Sequence, residues 1–160
     1  RMGQLLMSSR FISPKQKANQ TDYDFMVTDF VDAVRNCFKD GGYLQKEDSG
    51  EEKGGMFLVG YKGVLYEMHE DFQVGIPHEI FSACGCGDDL AKGAFFAIKN
   101  MDFSPIKKME MALNSANHFS AGVAPPYNYV SMSIDESKKE ISKLKSGKSP
   151  VKKGRGPAKK

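Results

Sequence analysis

The chain has 160 residues, of which 40% are hydrophobic and 27% are charged, which is typical of one globular domain. Its three cysteines, Cys37, Cys84 and Cys86, are too few for a disulfide framework, and we interpret them as structural thiols in a reducing compartment. Cys-x-Cys also lacks the second pair of ligands that a structural zinc site needs, so we expect no metal. No apolar run is long enough to span a membrane and no secretory signal opens the chain, so we expect a cytoplasmic protein without membrane contact.

The charge is distributed unevenly along the chain. Residues 138–160 contain ten Lys or Arg and one acidic residue, a net charge of +9; the whole chain carries +3, which leaves −6 for residues 1–137. We therefore predict an acidic domain over residues 1–134, followed by a basic tail, 135–160, whose composition is typical of disorder. Lysines in such a tail can attract nucleic acid or an acidic surface.

A long amphipathic helix is predicted near the amino terminus. Residues 1–7 have the helical spacing of the end of an apolar segment. Thr21 or Asp22 is suited to cap a helix over residues 22–39, and Gly41-Gly42 is suited to end it. This helix carries an apolar stripe, which consists of Phe25, Val27, Phe30, Val31, Val34 and Phe38.

A group of short strands follows a charged loop over residues 45–53. Four strands are predicted, over residues 56–61, 64–68, 72–74 and 80–84. Lys62-Gly63 supplies the two-residue turn of a hairpin between the first two. His69 is followed by two acidic residues, a pattern that can indicate metal binding or general-base chemistry. Because consecutive residues of an extended chain point to alternate faces, we interpret them instead as a solvated strand end.

Two further helices and a closing strand complete the predicted domain. Residues 88–100 and 105–118 have apolar faces at helical spacing, and Ser104-Pro105 is a strong start signal for the second helix. Residues 127–134 alternate between apolar and polar side chains and predict the final strand. The elements thus alternate between helical stripes and strands, which indicates a mixed α and β fold.

Two segments rich in small residues stand at the ends of these helices. Gly85-Cys86-Gly87, followed by Ala91-Lys92-Gly93, resembles the Gly-Ser-Gly…Ala-x-Gly pattern of proteasome β subunits. Asn117-His118-Phe119-Ser120-Ala121-Gly122 is similar to the Asp-x-x-Ser-Gly-Gly pattern of the same family. The chain thus resembles the N-terminal-nucleophile hydrolases, of the proteasome β type and its bacterial ATP-dependent relative, over roughly residues 1–134.

The resemblance implies an α+β fold, a four-layer αββα sandwich, here without its N-terminal strands. It also implies a threonine-type peptidase that assembles into a ring, acts on peptides without a cofactor and works with an ATP-dependent unfoldase. In this family the first residue of the mature chain is the nucleophile, and its α-amino group takes the proton. Arg1 has neither hydroxyl nor thiol, so we expect the nucleophile to lie upstream of Arg1 and the 160-residue chain to be inactive alone.

Supporting positions of the family map onto a few residues of this sequence. Cys86 stands where the family has a serine, Asn117 where it has an aspartate, and Ser120 matches the family's second serine. The turn glycines correspond to Gly85, Gly87, Gly93 and Gly122. A non-catalytic structural or assembly protein built on the same sandwich remains the alternative, because a fold does not determine a function.

Overall fold

A computed structural model describes residues 2–46 and 52–131 of the chain. The chain divides into one compact unit, Arg1–Tyr129, and a second, Val130–Lys160, of which residues 130 and 131 are described. The predicted basic tail lies outside the described residues. Among the residues that are described, no helix has the length and apolarity needed to cross a membrane.

The amino-terminal half contains a short helix and a long one. Helix α1 spans Met2–Leu6. Helix α2 is continuous through three segments, which are the α-helical Asp22–Phe25, the π-helical Met26–Phe30 and the α-helical Val31–Asp40. Thr21 is its N-cap, because the Thr21 hydroxyl accepts a hydrogen bond from the backbone N–H of Asp24 at 3.0 Å. The predicted helix is therefore confirmed.

Short antiparallel ladders follow α2. Strands β1 (Gln45–Lys46) and β2 (Glu52–Lys53) pair with each other, so the prediction that residues 45–53 are only a loop is wrong at its two ends. A second sheet has the order β3-β4-β5, from Phe57–Tyr61, Val64–Met68 and Val74–Gly75.

The hairpin of β3 and β4 is confirmed, and the third strand lies later than predicted. Lys62 and Gly63 both have positive φ, 49° and 83°, as a two-residue hairpin turn that matches the strand twist requires. The third strand was predicted over residues 72–74, but Phe72 has φ 66° and turns the chain. Pairing therefore begins only at Val74, opposite Met68.

The main apolar core lies between α2 and one face of the larger sheet. Tyr66 and Met68, alternate residues of β4, are almost fully buried on this face. They pack against the helix in two clusters, whose buried members from α2 are Phe25, Met26, Val31, Val34, Cys37 and Phe38. Most of the apolar stripe predicted for this helix is thus in the core.

A helical hairpin forms the carboxyl-terminal half. Helices α3 (Asp88–Ile98) and α4 (Pro105–Phe119) match the predicted helices to within two residues at each end. Ser104 caps α4, because its hydroxyl accepts a hydrogen bond from the backbone N–H of Lys107 at 3.3 Å. The two helices pack through small buried side chains that permit close approach, namely Ala91, Ala112 and Ala116.

One predicted strand does not form, and the described part of another belongs to no ladder. Residues 80–84 lie in no ladder, and neither do the described residues of the predicted strand over 127–134, which are 127–131. Alternation along a segment is a local property, whereas a strand also needs a neighbour for its backbone groups. The described residues form an α+β fold with four helices, an open three-stranded antiparallel sheet and the two-residue ladder of β1 and β2.

Candidate functional site

The two small-residue segments singled out in the sequence meet in space. The Ser120 hydroxyl donates a hydrogen bond to the backbone carbonyl of Cys86 at 3.3 Å, across a sequence separation of 34 residues. The same oxygen accepts a hydrogen bond from the backbone N–H of Gly122 at 3.3 Å. Ser120 therefore joins the turn that precedes α3 to the turn that follows α4.

Glycines make this contact possible. A Cβ on Gly122 would lie 2.8 Å from the Cβ of Cys86 and 3.2 Å from its sulfur. A Cβ on Gly87 would lie 2.8 Å from a methyl carbon of Val123 and 2.9 Å from the Cβ of Ala116. All three carbon–carbon distances are shorter than side chains tolerate, so the two turns can approach this closely only because neither position carries a side chain.

The remaining two glycines differ from each other. Gly85 has φ 107°, a conformation that side chains rarely adopt, and its carbonyl accepts a hydrogen bond from Asp88 at 3.1 Å to close the turn before α3. Gly93 lies inside α3 rather than in a turn, and a Cβ there would meet no atom within 4 Å. The structure thus gives a local reason for glycine at position 85 and none at position 93.

Asn117 lies beside this contact in sequence, in the last turn of α4, and is exposed. The next residue, His118, stacks edge-on against Phe119 with ring centroids 4.6 Å apart. The structure therefore brings together Cys86 and Ser120 of the three predicted supporting residues. It places Asn117 one helical turn before Ser120, because a residue and its third successor lie on neighbouring turns.

The thiols of the segment do not have the surroundings of an activated nucleophile. Cys86 is exposed, and within the described residues its thiol forms no hydrogen bond with an acidic, lysine or histidine side chain. Desolvation by neighbouring atoms raises the pKa of the Cys84 thiol. A nucleophilic cysteine needs a base or a lowered pKa, so these residues are suited to positioning rather than to attack.

Charged side chains at the start of α3 form ion pairs with one another. Lys92 lies 3.0 Å from Asp88 and 3.2 Å from Asp89. The hydrogen bond from Lys92 lowers the pKa of Asp88, which keeps this carboxylate ionised beside the turn. The turn before α3 therefore has acidic neighbours whose charge exceeds that of the single lysine.

A large cavity lies on the second face of the sheet, and the sequence reasoning missed it. Its volume is about 590 Å³, and its walls come from β3 and β4, from residues 80–84, from α3 and from α4. Its lining is mainly apolar and includes Leu58, Leu65, Phe81, Phe95, Met109 and Leu113. The signal for it is that Leu58 and Leu65 alternate with core residues, which makes both faces of the sheet apolar.

One hydrogen bond ties the cavity wall to the sheet. The Ser82 hydroxyl donates to a carboxylate oxygen of Glu67, whose other oxygen lies 3.8 Å from Nε2 of His69.

In the described part of the chain, no three His, Cys, Asp or Glu side chains converge in a way that could hold a metal ion. Comparison with protein-family models, with curated proteins and with solved structures gives no match to this chain.

Proposed function

We propose that the chain is a proteasome-β-like subunit of a self-compartmentalising, threonine-type peptidase. The observation that carries this proposal is the hydrogen bond from Ser120 to Cys86. It joins the two segments whose residue patterns resemble the supporting motifs of that family, although the segments are far apart in sequence. Two motifs that serve one site must be adjacent in the folded chain, and these two are.

In this proposal Cys86, Asn117 and Ser120 support an N-terminal nucleophile that is not one of the 160 residues. The Ser120 hydroxyl and the backbone of the turn before α3 position groups near the nucleophile's amine, which acts as the base. Positioning of this kind contributes strongly to rate, because misplacement by about 1 Å can cost roughly 100-fold. Peptides are the substrates, no cofactor is needed, and an ATP-dependent unfoldase supplies extended chains.

The proposal includes a four-layer αββα sandwich. Helix α2 covers one face of the sheet, and the α3–α4 hairpin lies beyond the other, with the cavity between. A strand added in that space would begin the second sheet of the sandwich, since sheets pack face to face about 10 Å apart. Ring assembly with further copies follows from the same proposal.

Covalent labelling of the protein as cells produce it tests this function. A peptide vinyl sulfone is expected to modify an N-terminal Thr, Ser or Cys, located by mass spectrometry. Ser120→Ala is expected to slow labelling by about 100-fold, whereas Ser9→Ala, an exposed serine of the amino-terminal loop, leaves the rate unchanged. The 160-residue chain alone is expected to leave fluorogenic peptides intact. A cellular protein that is neither labelled nor active would refute the peptidase.

A second candidate function is that of a non-catalytic assembly protein on the same fold. The observation that favours it is the number of exposed apolar side chains on and near the α3–α4 hairpin, which include Phe96, Met101, Phe103, Ile106 and Met109. This candidate predicts that the cellular protein assembles into a ring but takes no label. Size measurement on the same labelled sample separates the two functions.

A further inference from the structure

The cavity on the second face of the sheet has two apolar walls and is also lined by one further segment of chain. Leu58 and Leu65 form the sheet wall, and Phe95 and Met109 belong to the helical wall. Residues 80–84 form a third part of the lining and are linked to β4 by the hydrogen bond from Ser82 to Glu67. The space of about 590 Å³ is therefore an unfilled interlayer, of the size that ligand sites in proteins usually have.

Among the residues that the structure describes, the backbone of this segment has no main-chain partner. Within residues 2–46 and 52–131, the N–H and C=O groups of residues 80–84 form no backbone–backbone hydrogen bond. Phe81, Ser82 and Ala83 are half-buried, whereas Ile80 and Cys84 at the ends of the segment are exposed. Partly buried backbone groups are normally paired, and the segment has the composition of a strand. We therefore expect these backbone groups to pair with a second strand, whose own N–H and C=O groups offer donors and acceptors in alternation.

The charges around the cavity disfavour an anionic occupant. Among the described residues, Lys92 is the one lysine or arginine in its lining, and both Asp88 and Asp89 already pair with it. Glu67, hydrogen-bonded to the lining residue Ser82, adds a further acidic group. A fatty acid or a phosphate would therefore meet net negative charge, whereas a neutral chain would not.

From these observations we infer that the cavity binds an extended polypeptide segment with apolar side chains at alternate positions. The backbone of that segment pairs with residues 80–84 as an added strand, and its apolar side chains fill the space between the sheet and α3–α4. This inference deepens the proposed function, on which it rests for the idea of a second sheet layer.

A fluorescently labelled, end-blocked peptide of alternating valine and threonine is the probe, with one lysine at each end for solubility. Fluorescence polarisation with the 160-residue protein is expected to show saturable binding that the unlabelled peptide displaces. The same peptide with N-methyl groups on alternate amides is expected to compete at least about tenfold less well, because it cannot form the ladder. Displacement by dodecanol with no effect of N-methylation would identify a general apolar site and overturn the inference.

Two neighbouring substitutions on β4 provide matched variants. Leu65→Lys places a charge in the cavity and is expected to weaken peptide binding at least about tenfold. Val64→Lys changes an exposed residue that does not line the cavity and leaves binding within about twofold. The inference would be overturned if Leu65→Lys and Val64→Lys weakened peptide binding equally, or if the peptide did not bind the unsubstituted protein. No hydrolysis is measured, so peptide binding by a protein that takes no vinyl sulfone label would refute only the peptidase.

Discussion

At Gly122, the absence of a side chain allows two distant segments of the chain to touch. Replacement by alanine would place a Cβ 2.8 Å from the Cβ of Cys86, so the turn before α3 or the turn after α4 would have to move. We expect Gly122→Ala to lower the free energy of unfolding by about 1–3 kcal/mol, as overpacking does. Urea unfolding of the 160-residue protein measures this change.

Gly93→Ala is the matched control for that substitution. Gly93 lies inside α3 with open space around it, so alanine there is expected to raise the free energy of unfolding by about 0.5–1 kcal/mol through helix propensity. If both substitutions were neutral, the close approach of Gly122 to Cys86 would not be a feature of the protein in solution.

A second residue-scale prediction concerns Asp22, at the first turn of α2. Its carboxylate lies 2.7 Å from the ammonium group of Lys62, and that hydrogen bond lowers the pKa of Asp22 below its ordinary value of 3.8. A lowered carboxyl pKa stabilises the fold above the ordinary value, and this stabilisation is lost as the pH falls below 3.8. The pair links the start of the helix to the β3–β4 turn.

We therefore expect Asp22→Asn to make the thermal midpoint fall less steeply as the pH is lowered into the acidic range. At neutral pH the loss should stay below about 1 kcal/mol, because the side chain is 42% exposed and solvent screens the pair. Asp32→Asn, an exposed position of the same helix, is the control. Thermal midpoints measured from pH 7 to pH 3 check this, and identical profiles for Asp22→Asn and the unsubstituted protein would contradict it.

At the scale of elements, α4 owes its start to Ser104 and Pro105. The Ser104 hydroxyl accepts a hydrogen bond from Lys107, and proline at the first helical position has no N–H to leave unpaired. We expect Ser104→Ala to cost about 1 kcal/mol of stability, and Ser104→Asp to restore it, since aspartate also caps. Urea unfolding distinguishes them, and an alanine variant as stable as the aspartate variant would show that the cap contributes nothing.

The helices could be predicted closely because their signals are local. Ser104-Pro105 marks a helix start, and the stripe from Phe25 to Phe38 marks a buried helix face, whatever the rest of the chain does. The strands were predicted correctly only where a tight turn, Lys62-Gly63, fixes the partner. Residues 80–84 have the composition of a strand, but they pair with no neighbour among the described residues, and no local pattern reveals that.

The candidate site was predicted from a resemblance between motifs rather than from contacts. The motifs identified Cys86 and Ser120, and the structure places them within hydrogen-bond distance. The same reasoning treated Gly93 as a turn residue, although it lies in α3, because spacing along a motif does not distinguish a turn from a helix interior. The cavity was missed because it depends on the distance between two layers, which no single segment encodes.

At the scale of the whole molecule, apolar surface dominates the expected behaviour. Large apolar side chains are exposed along much of the described chain, and Ile80 is 93% and Val130 89% exposed. Exposed apolar surface of this kind normally becomes an interface. We expect the 160-residue protein to self-associate at micromolar concentration, and added salt to leave the association in place, because apolar contacts are not screened.

Light scattering measures the self-association directly. Ile106→Lys, on the exposed part of α4, is expected to reduce the associated fraction. A monodisperse species of 17.7 kDa with a sharp unfolding transition would show that the chain covers its own apolar surface.

The contact between Cys86 and Ser120 also bears on how this protein can change over evolutionary time. The chain enters the α3–α4 hairpin at residue 86 and leaves it at residue 122, and these two positions are in contact. Insertions in the exposed loop at the far end of the hairpin, near residues 100–103, would leave the spacing between these two positions unchanged. The length of the α3–α4 hairpin can therefore vary, in evolution or by design, without disturbing the residues at its base.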